Sequence, residues 1–133
     1  MSLESHVEGK LMKFRAFTIA ALLATSGSAY SAETTFSTVV ERVLVDDARY
    51  AGCMVLLEAN FQYELPNCGA RWATLDCLKE FPESTGSIAS NKLAQAQLAL
   101  VTGRSVTMRV TDTRMANGYC FAQRIDVKDV RDD

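Results

Sequence analysis

The chain contains one histidine, His6, and it lies ahead of a segment that reads as a cleaved signal peptide. The remainder therefore has no Ser–His or Cys–His nucleophile pair. It also lacks the usual imidazole ligand of a transition metal. No basic run is present and the charge balance is mildly acidic, which argues against nucleic acid or an anionic membrane as a partner. Beyond the leader, no apolar stretch reaches the roughly 20 residues of a membrane-spanning helix. The cysteines form no tight C-x-x-C pair, and no phosphate-binding glycine loop, EF-hand spacing, repeat or low-complexity tract occurs. The sequence thus implies no cofactor, no metal and no catalytic constellation.

What is present begins with an export pattern. Met12-Lys13-Phe14-Arg15 is a short basic region, Ala16 to Ala24 an apolar one, and small residues follow up to Ala32. This three-part pattern is that of a signal peptide over residues 12–32, cleaved after Ala32 or alternatively after Ala29. Residues 1–11 precede a better start at Met12 and read as vector-derived or as an over-called start. Cleavage after Ala32 leaves 101 of the 133 residues, with 11 basic and 14 acidic side chains. That is one modest domain, 33–133, expected in the periplasm or outside the cell, with no membrane insertion after cleavage.

Cys53, Cys68, Cys77 and Cys120 all fall in that domain, with 14, 8 and 42 residues between them. An even count in a small exported domain implies two disulfides, and the spacing disfavours zinc. Three pairings are open. If the apolar runs opened by Cys53 and closed by Cys77 form an antiparallel hairpin about Leu65, those two cysteines face each other. Cys68 is then left for Cys120.

The β-branched residues of 34–45 predict a first strand, with a bulge near Glu41-Arg42. Asp46 to Tyr50 is a solvated turn. Residues 52–58, apolar on both faces, predict a central second strand. A loop carrying Phe61 and Tyr63 leads to a third strand over 70–77, with Arg71, Ala73, Leu75 and Cys77 on one face and Trp72, Thr74 and Asp76 on the other. A helix capped by Ser87 or Ser90 follows, with Leu93, Ala96, Leu100 and Val101 as its apolar stripe, Lys92 largely off it, and Gly103 ending it. Residues 106–110 alternate as a fourth strand. Arg114 to Gly118 is a turn with Asn117-Gly118 at its tip. Residues 119–127 form the fifth strand, with Phe121, Ile125 and Val127 on one face.

Five strands with one helix between the third and fourth is the layout of an OB-fold barrel, mainly β with a single helix; an α+β sandwich of cystatin type is the rival. Cys68-Gly69, Arg71-Trp72 and Leu75-Asp76, then a helix ending Thr102-Gly103-Arg104, a strand over 106–110 and a cysteine before the last strand, resemble a group of small exported bacterial domains of unknown function. The order also resembles the B subunits of subtilase-cytotoxin and pertussis-like toxins. That resemblance covers about Cys68 to Val127. It implies an OB-fold, glycan binding and homo-oligomeric assembly, but no glycan-binding residue of those toxins maps onto this chain.

The expected function is therefore a non-catalytic binding module for a glycan or a protein partner. A periplasmic inhibitor or partner-binding module is the alternative, and a carboxylate-based hydrolase a more distant one. Sugar recognition pairs aromatic faces with planar polar groups, which singles out Tyr50, Tyr63, Trp72, Asn117 and Tyr119, with Phe61 beside them. Among the carboxylates, Asp76, Glu80, Glu83 and Asp112 show no spacing that marks an acid–base pair.

Overall fold

A computed structural model describes residues 32–129 and 131; His6, residues 12–31 of the signal-peptide reading and the alternative cleavage site at Ala29 lie outside them. Five strands, β1 (Glu33–Val45), β2 (Cys53–Leu57), β3 (Trp72–Thr74), β4 (Ser105–Ala116) and β5 (Tyr119–Val127), and one helix, α1 (Ile88–Thr102), follow in order. The sheet closes on itself as β1-β2-β3-β5-β4, with β3 and β5 parallel and every other pair antiparallel. With α1 between β3 and β4, this is the OB-fold-like barrel; the α+β sandwich is not formed.

β1 serves two partners because it bends. Its first half pairs with β4 and its second half with β2, and the register shifts between Val40 and Arg42, where the sequence predicts a bulge. A bulge kinks a strand and increases its twist, which lets one long strand turn a barrel corner. Val40, Val55, Leu57, Ala73, Val106 and Met108 point into the barrel, joined by Phe61 and Leu65 from the loop after β2. Phe36 stacks on Phe61 at 5.5 Å between ring centroids.

Three boundaries differ from the sequence reading. β3 is three residues rather than eight, because Arg71 and Asp76 on either side have positive φ (64° and 57°), which ends regular pairing. β4 runs on through Arg114 and Ala116, so the turn is only Asn117-Gly118; an irregularity between Thr111 and Met115 absorbs the extra residues. On β5, Cys120, Ala122 and Ile125 face the core with Val127 packed against it; of the expected row Phe121, Ile125 and Val127, only Phe121 departs. The register with β4 slips by one residue around Gln123. Because the side-chain period is two, that slip sends Phe121 to the opposite face from Ile125.

Both disulfides form, Cys53–Cys77 and Cys68–Cys120, with Cα–Cα distances of 5.5 and 5.3 Å. Two disulfides belong to an oxidising, extracellular or periplasmic compartment, and among the described residues no helix is long and apolar enough to cross a membrane. The hairpin that brings Cys53 to Cys77 is offset from the expected one. Met54 pairs with Thr74 and Leu56 with Trp72, and the Leu75 amide donates to the Cys53 carbonyl at 3.1 Å. Residue 75, not 77, thus stands opposite Cys53, and the positive φ of Asp76 turns Cys77 back to reach it.

α1 departs most from expectation. Its buried residues are Ala89, Lys92, Ala96 and Ala99, with Leu93 half-buried, whereas Leu100 and Val101 are exposed by 38% and 85%. The helix approaches β1 and β5 closely, and alanine lets it do so. Of the expected stripe Leu93, Ala96, Leu100 and Val101, Ala96 is buried and Leu93 packs against the core, while Leu100 and Val101 stay outside the small-residue contact.

Lys92 is the one charged residue of α1, and it is 6% exposed. Its Nζ donates to the Ala122 carbonyl at 2.8 Å and lies 4.0 Å above the Phe121 ring. Burial pulls its pKa down from 10.5 to about 8, against the opposing pull of the Asp76 and Glu83 carboxylates. Below pH 8 the folded protein carries the full cost of a desolvated ammonium. Between pH 8 and 10.5 the unfolded chain binds more protons than the folded one, so stability rises with pH across that window. Lys92→Met is expected to raise stability at pH 7 by about 1 kcal/mol, once screening and the lost contacts to Ala122 and Phe121 are set against the removed charge. Denaturant melts of both proteins at pH 7 and pH 10 test this: the gap should shrink at the higher pH, and a gap independent of pH would contradict the assignment.

Candidate functional site

The outer face of β1, β2 and β3 carries a shallow concavity of about 180 Å³ lined by Leu44, Tyr50, Met54, Trp72 and Tyr119. Val43, Val55 and Ala73 lie in or against the core, so alternation turns their neighbours Leu44, Met54 and Trp72 outward. Leu44 pairs with Met54, and Trp72 lies one register row away, opposite Leu56 and in line with Arg42. These strands form the floor.

The walls come from two loops. Tyr50 ends a single 3₁₀ turn, Ala48–Tyr50, whose N-cap Asp47 accepts from the Arg49 amide at 3.2 Å. Ala51 (φ 58°) and Gly52 (φ 91°) then reverse the chain, and the Asp46 amide donates to the Gly52 carbonyl at 2.9 Å. The buried Thr74 hydroxyl donates to the Tyr50 carbonyl at 2.8 Å, which fastens this loop to β3. Tyr119, just past the β4–β5 turn, forms the opposite wall. Its ring meets that of Tyr50 edge-on, 5.6 Å between centroids at 77°. It lies so close over Gly69 that a Cβ there would be 2.4 Å from a ring carbon. The Gly69 amide donates to the Gly118 carbonyl at 2.9 Å, and the Cys68–Cys120 bond joins the residues on either side.

Electrostatically the site is neutral. No charged side chain lines it. The ion pair of Arg71 with Glu41 stands beside Trp72 in sequence, and Arg71 Nε also donates to the Leu57 carbonyl at 2.9 Å. Among the lining side chains the polar groups are the Tyr50 and Tyr119 hydroxyls and the Trp72 indole N–H, each a donor at the edge of an apolar ring.

Of the residues singled out from the sequence, Tyr50, Trp72 and Tyr119 meet at this concavity. Tyr63 does not: it is 85% exposed on a separate 3₁₀ turn, Phe61–Tyr63. Asn117 takes φ 50° at the hairpin tip, a turn role, and Phe61 is a core residue. Leu44, Met54 and Gly69 were not picked out. The first two sit in strands whose outward apolar positions were the available signal, and Gly69 matters through a contact 50 residues away.

Of the four carboxylates singled out, Glu80 is exposed and the other three make contacts within the fold. Asp76 is fully buried, and its two oxygens accept from the Glu80 and Phe81 amides, both at 2.8 Å. Asp112 accepts from the Ala32 amide at 2.8 Å, and Glu83 pairs with Arg114. No cluster of three or more metal-ligating side chains occurs among the described residues. No family model, curated protein or solved structure matches the chain.

Proposed function

We propose that this is an exported binding module that takes one sugar ring of a glycan into the Tyr50–Trp72–Tyr119 concavity without acting on it chemically. The observation that carries the reading is the convergence of three aromatic side chains around a neutral, open site. Its place in the fold adds support, since oligosaccharide-binding OB-folds use the face of strands 2 and 3 together with the β1–β2 and β4–β5 loops. Tyr50 and Tyr119 stand in or next to those two loops, while Met54 and Trp72 lie on that face. A volume of about 180 Å³ is below the range of drug-sized ligand sites, which suits one ring rather than an extended chain. An aromatic face against the apolar side of a sugar, with hydroxyl and indole donors at the rim, fits that ligand class. The disulfides and the leader pattern favour export, to the periplasm or beyond.

A glycan array followed by titration of the best ligand tests the reading. Trp72→Ala is expected to weaken binding about thirtyfold, the effect of losing a central aromatic anchor, with Tyr63→Ala unchanged. An array without hits, with a periplasmic protein captured through Trp72 instead, would replace the glycan by a protein partner. Hydrolysis of any arrayed sugar would overturn the non-catalytic reading.

A further inference from the structure

The bulge between β4 and β5 sets two positive charges against each other. Arg109 lies directly opposite Arg124 in the ladder, and the next pair is Val110 with Ala122. Gln123 is therefore the extra residue, and with Arg124 it opposes Arg109. Met108 and Val110 point into the core, as do Ala122 and Ile125. Alternation turns Arg109 outward, and the bulge turns both Gln123 and Arg124 outward beside it. Directly opposed positions have Cβ atoms roughly 5 Å apart, and like charges placed so are destabilising.

The fold does not relieve this. Arg124 pairs with Asp126 of its own strand, but Arg109 has no ion pair among the described residues. Arg109 Nε is also buried without an acceptor, and Gln123 Oε1 is buried without a donor. Ser84 Oγ is the third such atom among the described residues, so two of the three fall at this bulge. Atoms of this kind are costly, and native folds hold few of them. We propose that Arg109, Arg124 and Gln123 form a binding site for a tetrahedral oxyanion, the phosphate or sulfate group of an ester.

The donors suit that shape. A guanidinium carries five N–H groups in a fork, so Arg124 keeps some to spare beside Asp126. Two forks reaching from neighbouring strands match an anion whose oxygens point several ways; a carboxylate has two, in one plane. Gln123 serves as well, because rotating its amide exchanges oxygen for N–H. Lys128 adds a third cation: its Nζ crosses β4 to donate to the Ser37 hydroxyl on β1 at 2.7 Å. The small residues Thr35, opposite Arg109 on β1, and Thr107 leave the face open around it. Asp126 and Glu33 are the acidic side chains of these rows, so three cations stand against two carboxylates. In a net negative chain so small a positive patch holds one anionic group, not a polyanion. The cations are scattered in sequence and only the register gathers them. The face belongs to the first half of β1, β4 and β5, apart from the aromatic concavity, so the two readings stand or fall separately.

Titration of inorganic phosphate into the intact, disulfide-bonded protein at constant ionic strength, followed by the arginine Nε–H signals in NMR spectra, reads the site. The Arg109 signal should shift saturably with a Kd of about 1 mM. Inorganic sulfate should do the same, and acetate should not saturate over that range. Whichever of phosphate and sulfate binds the tighter names the ester. Arg109→Gln, read at the Arg124 signal, should weaken phosphate at least about tenfold. Arg114→Gln should leave it unchanged, since Arg114 lies outside these rows and pairs with Glu83. Should Arg109→Gln misfold, Arg124→Gln, whose side chain is 56% exposed, carries the same expectation, read at Arg109. No saturable shift, an equal response to acetate, or an affinity indifferent to both site variants overturns the inference.

Discussion

Replacing both Cys68 and Cys120 by alanine is expected to remove about 4 kcal/mol of stability and to lower the melting temperature by about 15–30 °C. The bond closes a loop of 52 residues, against 24 for Cys53–Cys77, and loop-closure entropy grows with the logarithm of loop length. Within that loop lie β3, α1 and β4, so the unfolded chain is restrained over two of the five strands and the helix. β3 and β5 are joined by a parallel ladder of only two rungs, Ala73 with Cys120 and Thr74 with Phe121. Such a short ladder cannot hold the barrel closed by backbone hydrogen bonds alone, and the disulfide sits at its end. Both sulfurs are buried, so alanine also leaves a small void that adds to the loss. Against the 5–15 kcal/mol of a typical domain this is a large share. Thermal melts of the double variant beside the unaltered protein decide it; a loss under about 1 kcal/mol would mean the barrel closes without the bond.

How much of this could be read beforehand depends on the range of each interaction. Strand order and the helix position were legible because each strand carries its own local pattern. The β-branched run of β1 predicts even its bulge, which the structure places between Val40 and Arg42. Gly103 ends α1 in the left-handed region, at φ 67°, as a glycine after a helical run suggests. What failed was set by contacts remote in sequence. The buried face of α1 is fixed by how near the barrel lets a helix come: Ala96 of the expected stripe is buried, but nothing within the helix distinguishes Ala99, buried, from Leu100, exposed, on that count. Lys92 reads locally as a surface residue and is buried because Phe121 and Ala122 offer it a ring and a carbonyl. The Gln123 slip that reassigns Phe121 leaves no trace in composition. At the site the aromatics were visible as residue types, but only the closure of β1, β2 and β3 distinguishes Trp72, in the concavity, from Tyr63, outside it.

Gly69→Ala is expected to move Tyr119 off the site and to lower stability by about 1–3 kcal/mol, as overpacking of a close contact does. The reason is space rather than backbone conformation, since Gly69 is not among the residues with positive φ. A methyl group there would stand 2.4 and 2.5 Å from two carbons of the Tyr119 ring, closer than real atoms approach. The backbone at position 69 cannot yield easily: its amide is bound to the Gly118 carbonyl and its neighbour Cys68 is bonded to Cys120. The ring must therefore swing outward, breaking its edge-on contact with Tyr50 and removing one wall of the concavity. A double-mutant cycle separates this from general damage. Once Tyr119→Ala has removed the ring, the added methyl meets nothing, so Gly69→Ala/Tyr119→Ala should be about as stable as Tyr119→Ala alone. The two single losses should then exceed the combined loss by about 1–3 kcal/mol. Additive losses would show that Gly69 is required for some other reason, and unchanged ligand affinity in Gly69→Ala would show that the Tyr119 wall takes no part in binding.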